Sequence, residues 1–318
     1  MPEELTAPFP YFGGKARIAE LVWLRLGNAR TYIEPFAGSL AVLLRRPHAP
    51  FYEVANDLNG EVMNVWRAIT FQPKQTAAMC NWPRSEIDVL ARRKWYSERL
   101  PALVPLLAKS PMACDVDMAA YWVWGSSTCI GHNWNFSTKA ALPTFPYGRG
   151  VHRILPLEPT KAIQGIPING SFDATDGEIF RQEKFLLAWF NRLASRLRKV
   201  SFTCGDWKRV LTRSFLNEPK AGIFLDPPYN THEKVYHREN NVVSKAVQKW
   251  ARTNGSNPDL RIAICGYDGD YVLPGWECIP WKTKGGYGSH SQDGSNANSE
   301  RERIWFSPNC HRVSQTEI

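Results

Sequence analysis

Apolar and polar positions alternate along this chain in a way that predicts short strands between amphipathic helices. Runs of β-branched and aromatic residues, each closed by turn-forming residues, predict strands over 31–36, 51–55, 200–204, 221–225, 261–265 and 303–307. Apolar residues that recur at helical spacing predict helices over 40–44, 60–69, 85–108 and 178–199. Strands that alternate with helices are typical of an α/β fold built on a parallel sheet.

Residues 81–169 depart from this alternation. After the helix predicted at 85–108, the chain becomes rich in Trp, Asn, Ser, Thr and Gly and continues the α/β pattern poorly. Trp122 and Trp124 lie two positions apart, which predicts a strand that places both indoles in a small core. We therefore expect a catalytic domain over 1–80 and 170–318, interrupted by an inserted, mostly helical and loop-rich domain over 81–169.

Acidic residues end or closely follow four of the predicted strands: Glu34, Asp57, Asp206 and Asp226. Ligands of open α/β sheets bind outside the carboxyl ends of the strands, so we expect these side chains to converge on one cleft. Gly38 precedes Asp57 by about the distance that separates the glycine turn of a nucleotide-binding fold from its ribose-binding acid. This spacing favours a ligand that contains a nucleoside.

The most informative segment is 224–229, which reads Phe-Leu-Asp-Pro-Pro-Tyr. Its prolines stiffen a turn and provide carbonyls but no N–H donors. The amino group of a nucleobase is a poor nucleophile, because its lone pair is delocalised into the ring. Asp226 and a neighbouring carbonyl could accept the two amine hydrogens and return electron density to nitrogen, while Tyr229 offers a flat face to an extruded base. The segment therefore predicts methyl transfer to such an amine.

Composition narrows the classes of partner and cofactor. Thirty-nine Lys and Arg residues against thirty Asp and Glu residues give a formal net charge of +9, which favours a polyanionic partner. The seven cysteines are scattered without a Cys-x-x-Cys pair, so neither a disulfide framework nor a zinc site is predicted. No apolar stretch is long enough to predict a membrane span. We expect no metal.

Five short motifs then occur in the order in which one enzyme family carries them. They read Tyr-Phe-Gly-Gly-Lys at 11–15, Glu-Pro-Phe-Ala-Gly at 34–38, Asn-Asp-Leu-Asn at 56–59, Cys-Gly-Asp-Trp at 204–207 and Asp-Pro-Pro-Tyr at 226–229. With these motifs the chain resembles the D12-class, Dam-type adenine-N6 DNA methyltransferases. The resemblance implies a Rossmann-like, S-adenosylmethionine-dependent methyltransferase fold with an inserted target-recognition domain.

The resemblance also implies two sets of site residues. Those expected to bind S-adenosylmethionine are Tyr11, Lys15, Glu34, Phe36, Gly38, Asp57, Asp206, Trp207 and Asp226. Those expected to hold the adenine and carry catalysis are Asp226, Pro227, Pro228 and Tyr229. The implied reaction moves a methyl group from S-adenosylmethionine to N6 of an adenine flipped out of double-stranded DNA.

Within the inserted region, amide, aromatic and basic side chains are expected to contact DNA. They are Asn133, Trp134, Asn135, Tyr147 and Arg149. Amides can read adenine edges and an arginine can read guanine. The chain follows the family pattern at 145–149 but departs from it at 128–135, and it lacks a further glycine that related cofactor turns often carry where Ser39 or Leu40 stands. The recognised sequence therefore stays open.

Alternatives also stay open. The same pocket chemistry serves a cytosine-N4 DNA methyltransferase, and two further readings are an adenine methylase of low specificity and a non-catalytic DNA-binding protein with this fold. Asp at the first position of the 226–229 motif favours adenine by resemblance. We expect a cytoplasmic enzyme of a bacterial or phage-infected cell, with double-stranded DNA as its partner and either a restriction endonuclease partner or none.

Overall fold

The computed structural model describes residues 5–11, 14–110, 112–129, 150–152, 176–212, 216, 220–229, 237–281 and 301–313. The chain divides into two compact units. The first comprises Met1–Ala7, Tyr11–Met63 and Arg196–Ile318, and the second comprises Pro8–Pro10 and Asn64–Ser195. The second unit begins earlier and ends later than the inserted domain expected at 81–169. Its role in target recognition stays a prediction.

The first unit is built on a seven-stranded sheet. Its strands are β1 Thr31–Glu34, β2 Tyr52–Asp57, β3 Val200–Cys204, β4 Ala221–Leu225, β5 Leu260–Tyr267, β6 Glu277–Pro280 and β7 Glu302–Phe306. They lie in the order β3-β2-β1-β4-β5-β7-β6. The neighbours from β3 to β5 are parallel, and β7 is antiparallel to both β5 and β6. This mixed α/β architecture is consistent with the fold class expected from the sequence.

Helices link the strands of the first unit and dominate the described part of the second. They are α1 Ala19–Leu26, α2 Ala41–Leu44, α3 Gly60–Phe71, α4 Pro73–Cys80, α5 Glu86–Lys109, α6 Val116–Thr128, α7 Asp176–Leu197 and α8 His237–Asn254. Short 3-10 helices span Lys15–Arg17, Gly150–His152 and Trp207–Val210. The Ser85 hydroxyl accepts a hydrogen bond from the Asp88 N–H at 3.4 Å, so α5 begins at the predicted N-cap.

The sheet core keeps the strands in register. Ile33 of β1 pairs with Ile223 of β4, which pairs with Ile262 of β5, and all three side chains are fully buried. All residues of β4 are buried, as expected for a strand covered on both faces. A shift by one residue would move each isoleucine to the other face of the sheet, so burial fixes the level at which neighbouring strands end.

The strand expected at Trp122 and Trp124 is wrong, because both residues lie in α6. Asp115 caps this helix by accepting a hydrogen bond from the Met118 N–H at 2.8 Å, a signal that outweighs a spacing of two. Both indoles are nonetheless buried, as expected. The Trp124 N–H donates to the Trp82 carbonyl at 3.1 Å.

The helices α1, α4 and α8 and the strand β6 were also not expected from the sequence. The three β6 residues other than Ile279 are exposed, so the strand shows no buried apolar face to reveal it. Backbone pairing with β7 holds it instead. Such pairing depends on a distant part of the chain and leaves little local signal.

In the second unit, side chains of α3 hold the ends of two neighbouring helices. The Arg67 guanidinium donates to the carbonyls of Leu107 and Ala113, at 2.8 Å each. The Asn64 side chain exchanges two hydrogen bonds of 2.8 Å with the backbone of Asp115. These bonds satisfy carbonyl and N–H groups that helix ends leave without intrahelical partners.

Three chemical features apply to the ranges described above. No helix there is long and apolar enough to cross a membrane. All seven cysteines are free thiols. No group of three or more His, Cys, Asp or Glu side chains within those ranges is arranged to hold a metal ion.

Candidate active site

The four acidic residues predicted at strand ends lie at the ends of four adjacent strands of the sheet or just beyond them. The order β3-β2-β1-β4 places Asp206, Asp57, Glu34 and Asp226 one after another along the carboxyl edge. Asp57 pairs with Cys204, and Asp206 follows Cys204 by two residues. Asp57 and Asp206 therefore lie at similar heights along the strand direction. The parallel sheet thus brings the predicted residues to one edge, where ligands of such sheets bind.

Asp57 joins two turns at this edge. Its Oδ2 accepts a hydrogen bond from the Gly38 N–H at 2.8 Å, and its Oδ1 accepts one from the Asn59 N–H at 2.9 Å. Burial raises the pKa of Asp57, against the lowering effect of these N–H donors. The carboxylate therefore shapes the turn after β1, and it remains partly exposed.

The turn between β1 and α2 contains two residues in the left-handed region. Gly38 has φ +45°, and a Cβ at this position would lie 2.6 Å from Cε1 of Tyr11. A larger residue would therefore displace the tyrosine ring. Leu40 has φ 54° and ψ 28°, although it carries a fully buried side chain. Leu40 is one of the two positions, with Ser39, at which related cofactor turns often carry a further glycine.

Tyr11 lies beside two of the carboxylates. Burial, then Asp57 and Asp226, raise the pKa of Tyr11 well above its ordinary value. The phenol therefore keeps its proton at neutral pH and can act as a hydrogen-bond donor. The structure thus brings this N-terminal aromatic residue to the edge on which both acids stand.

Asn56 is a positioning residue that the sequence did not single out for its own role. Its Nδ2 donates to the carbonyls of Pro35 and Gly205, at 3.0 Å and 2.9 Å, and its Oδ1 accepts from the Thr203 hydroxyl at 2.7 Å. The side chain is fully buried. It thereby ties the carboxyl ends of β1 and β3 to β2.

Glu34 and Trp207 are two expected cofactor residues whose side chains are buried. Glu34 is 2% exposed and accepts a hydrogen bond from the Tyr32 hydroxyl at 3.2 Å. Burial raises the pKa of Glu34 well above its usual range, and the hydrogen bond from Tyr32 acts to lower it. Trp207 is 5% exposed and belongs to the core of the sheet unit. Packing within the sheet unit is therefore enough to explain why both side chains are buried.

Two other expected residues are more accessible. Asp206 is exposed, and its Oδ1 caps the following 3-10 helix by accepting a hydrogen bond from the Lys208 N–H at 2.9 Å. Phe36 is partly exposed and stacks on Trp207, with ring centroids 5.9 Å apart and planes at 29°. An exposed carboxylate and an aromatic face therefore stand at neighbouring strand ends.

Lys15 and Asp226 form an ion pair at the end of β4. Lys15 Nζ lies 3.0 Å from Asp226 Oδ1, and the side chains are 4% and 22% exposed. Burial raises the pKa of Asp226, whereas Lys15 lowers it. Burial lowers the pKa of Lys15, but Asp226, Cys265 and Glu302 together hold it above its ordinary value. The ammonium thus stays charged beside the aspartate.

The Asp-Pro-Pro-Tyr segment forms an irregular turn directly after β4. Pro227 is buried and Pro228 is exposed, and the Pro228 carbonyl accepts a hydrogen bond from the Ser244 hydroxyl at 3.4 Å. The Tyr229 ring makes an edge contact with Tyr267, with centroids 4.7 Å apart and planes at 71°. Lys15 Nζ lies 4.9 Å from the Tyr229 centroid. The aromatic ring, the carbonyl and the carboxylate therefore lie within one short turn.

Three residues that the sequence did not point to surround this turn: Tyr267, Trp281 and Glu302. Lys15 Nζ lies 5.6 Å from the Trp281 ring centroid. Glu302 opens β7 opposite Tyr267, which ends β5. Glu302 reaches this edge through the antiparallel pairing of β7. Sequence reasoning missed it because the triplet Arg-Glu-Arg at 301–303 is typical of a solvated surface.

The expected DNA contacts lie outside the described residues. They are Asn133, Trp134, Asn135, Tyr147 and Arg149. The described residues nearest to them in sequence are Cys129, which is buried, and Gly150. The assignment of these five side chains to DNA stays a prediction.

Comparison with known proteins gives one match and one negative finding. No curated protein matches the chain. Residues 11–90 match the family model D12 class N6 adenine-specific DNA methyltransferase. That stretch includes Lys15, the turn at Gly38 and Asp57, and the match supports a transferase that acts in DNA adenine methylation. The resemblance inferred from the motifs is thus confirmed, with residues 11–90 of this chain matching the D12 class of N6 adenine-specific DNA methyltransferases.

Proposed function

We propose that this protein transfers a methyl group from S-adenosylmethionine to N6 of an adenine in double-stranded DNA. The observation that carries the proposal is the Lys15–Asp226 ion pair beside Tyr229, at the same sheet edge as Asp57 and Asp206. An acceptor for an amine and an aromatic face stand at one end of this edge. Carboxylates suited to a nucleoside stand at the other.

The residues at β1, β2 and β3 fit the expected cofactor. Asp57 and Asp206 are carboxylates that remain accessible, and Phe36 presents part of its ring. A carboxylate at the end of the second strand suits ribose hydroxyls, and an aromatic face suits a purine. When bound, S-adenosylmethionine supplies a methyl group on a sulfonium. The buried Glu34 and Trp207 support this surface from beneath.

At β4 the chain's own groups suit an amine substrate. Asp226 can accept one hydrogen of the amine, and the Pro228 carbonyl retains a lone pair for the second. Lys15 opposes the effect of burial and favours the charged form of Asp226, which is the form that accepts hydrogen bonds best. Tyr229 is the last residue of the same turn, and its ring would stack on the base.

Positioning accounts for most of the catalysis in this scheme. Flipping a base out of the duplex costs a few kcal/mol, which phosphate contacts from a chain of net charge +9 would offset. Well-oriented reactants gain on the order of 7–11 kcal/mol. A strong base is not required, because the product can lose its proton after the transfer.

The second unit would then read the DNA. Its sequence over 133–149 combines amide, aromatic and arginine side chains, which suit base edges in the major groove. Mapping of methylated positions in DNA from an expressing host tests this part of the proposal. A methylation pattern without sequence preference would instead make this unit a general duplex clamp.

Replacement of Asp226 tests the reaction. We expect Asp226→Asn and Asp226→Ala to lower the rate of methyl transfer by much more than tenfold, or about 1.4 kcal/mol of barrier, because the variants lose the charged acceptor. The measurement is transfer of labelled methyl groups to unmodified duplex DNA, with chromatographic identification of the methylated base.

Asp259→Asn is the matched control, since Asp259 is exposed and its carbonyl accepts a hydrogen bond at the opposite end of β4. We expect this variant to keep wild-type activity. If either Asp226 variant kept activity within tenfold of the wild type, the proposed role of Asp226 as the acceptor for the amine would be wrong. Detection of N4-methylcytosine as the product would show that the substrate is cytosine and not adenine.

A further inference from the structure

Glu302 carries a carboxyl group that is buried, which is energetically unfavourable for such a group. Its side chain is 6% exposed, and its Oε2 makes no hydrogen bond of ordinary geometry with the residues that the structure describes, although the Tyr229 hydroxyl lies close enough to lower the pKa of Glu302 as a donor. Its backbone carbonyl accepts a hydrogen bond from the Trp281 N–H at 3.2 Å. A buried polar atom without a partner destabilises a fold by about 1–3 kcal/mol. Its retention suggests a use.

A second buried polar atom lies in the same place. Trp281 is 8% exposed, and its indole N–H also finds no hydrogen-bond partner within the described ranges. Lys15 Nζ lies over the Trp281 ring as well as over the Tyr229 ring. The Glu302 carboxylate oxygen and the Trp281 indole N–H are thus two buried polar groups whose hydrogen-bonding capacity the described side chains do not fill.

The charged groups around Glu302 come from three other parts of the sheet unit. Burial raises the pKa of Glu302 to about 7. The Lys15 ammonium and the Tyr229 hydroxyl act to lower this pKa, whereas Asp226 and Asp270 act to raise it. Glu302 is therefore coupled to the proposed amine acceptor and to the residue that pairs with it.

The remaining titratable neighbours lie on β5. Burial raises the pKa of Cys265 and of Tyr267, and Glu302 adds to both effects. Both groups therefore keep their protons, and Lys15 keeps its positive charge. Glu302 is the carboxyl in this cluster whose pKa is raised to about 7 and which therefore changes charge near neutral pH.

We propose that Glu302 sets the charge of the methyl-donor site. When Glu302 is protonated, the Lys15–Asp226 pair leaves its surroundings neutral. When Glu302 ionises, one negative charge is added beside that pair. This inference rests on the proposed function, because the methyl of the donor must approach Asp226 and therefore brings the sulfonium cation toward this charge.

The proposal predicts a difference between donor and product. S-adenosylmethionine carries a sulfonium cation, whereas S-adenosylhomocysteine is neutral at sulfur. Ionisation of Glu302 should therefore strengthen binding of the first ligand relative to the second. If the sulfonium binds about 10 Å from Glu302, an effective dielectric constant of about 25 to 50 gives a change in affinity of about three- to tenfold.

The test compares the wild type with Glu302→Gln, which preserves shape and cannot ionise. Calorimetric titrations at about pH 6 and about pH 8 give the ratio of the two dissociation constants. We expect the preference of the wild type for S-adenosylmethionine to rise about three- to tenfold over this range, and the preference of Glu302→Gln to stay constant. An equal rise in both proteins would overturn the proposal.

Glu277→Gln on β6 is the matched control. It makes the same change in a carboxylate that is 49% exposed and pairs with Arg25, away from the Lys15–Asp226 pair. We expect this variant to show the pH dependence of the wild type. A constant preference in Glu277→Gln would overturn the assignment of the effect to Glu302.

A measurement without ligands separates this inference from the proposed function. A carboxyl whose pKa is raised on folding, here from 4.5 to about 7, destabilises the folded state as pH rises from the unfolded toward the folded pKa. Urea unfolding should therefore show that the wild type loses stability relative to Glu302→Gln between about pH 5 and about pH 8. An equal pH dependence of both proteins would overturn the inference. If neither ligand binds the wild type, the proposed function fails, and the urea experiment still decides whether Glu302 changes charge.

Discussion

Leu40 adopts a conformation that β-carbon-bearing residues rarely take. Its φ of 54° places it in the left-handed region, which costs roughly 1–2 kcal/mol for a residue other than glycine. Two backbone hydrogen bonds hold it there, from its N–H to Ala37 at 2.7 Å and from the Leu44 N–H to its carbonyl at 2.9 Å. Its fully buried side chain offsets the cost.

Paired variants separate these two effects. We expect Leu40→Gly to be at least as stable as Leu40→Ala, because both lose the buried side chain and glycine alone relieves the backbone. In an ordinary helix glycine is less stable than alanine by about 0.5–1 kcal/mol. Urea unfolding of both variants gives the comparison.

Leu43 is the control for this pair, since it is fully buried inside α2 and has no positive φ. Leu43→Gly should be less stable than Leu43→Ala. The same order at position 40 would show that the left-handed conformation carries no cost there.

At the scale of elements, one short segment at the end of β2 connects the turns that follow β1 and β3. Asn56 reaches Pro35 and Gly205, and Asp57 reaches Gly38. The Gly205 N–H also donates to the Asp57 carbonyl at 3.0 Å. The proposed cofactor surface therefore depends on β2 for its shape.

Replacement of Asp57 should affect both stability and cofactor binding. We expect Asp57→Ala to weaken S-adenosylmethionine binding by at least about tenfold, with a much smaller effect on DNA binding. It should also lower the free energy of unfolding by about 1–3 kcal/mol, because two N–H groups lose their acceptor. Calorimetry and DNA titrations give the two affinities.

Asp57→Asn distinguishes the two roles. Its amide oxygen still accepts a hydrogen bond, so stability should recover in part, while affinity for the cofactor stays low. Equal losses of cofactor and DNA binding, or loss of neither, would assign Asp57 to the scaffold alone.

Across the sheet unit, Glu53 holds a buried charge network. It is fully buried on β2 and forms ion pairs of 3.2 Å with Arg46 and 2.6 Å with Arg196 of α7. Arg196 also donates to the Leu43 carbonyl at 2.8 Å. The carboxylate thus joins the sheet, the segment after α2 and the end of α7.

Removal of this charge should be costly. We expect Glu53→Gln to lower the free energy of unfolding by about 3–5 kcal/mol, because two guanidinium groups would remain buried without their counter-charge. Asp268→Asn should cost at most about 1 kcal/mol, since Asp268 is 62% exposed and its partner Arg303 is 19% exposed, so water can replace the lost charge. Similar losses in the two variants, measured by urea unfolding, would contradict this account of Glu53.

The sequence by itself determined the features that depend on neighbouring residues. Local patterning predicted β3 and β4 and the start of α5 at Ser85, because strand periodicity and helix capping act within a few residues. The turn at 226–229 and the acids at strand ends were found for the same reason. The motifs at 11–15, 34–38 and 56–59 were enough to indicate a resemblance to the family whose model matches residues 11–90.

The tertiary structure decided the features that join distant parts of the chain. It paired Lys15 with Asp226, buried Glu34 and Trp207, and brought Glu302 to the carboxyl edge through the antiparallel strand β7. It also made α6 a helix where a spacing of two had suggested a strand. Burial and charge coupling depend on which segments pack together, and residues far apart in the chain carry no local sign of that packing.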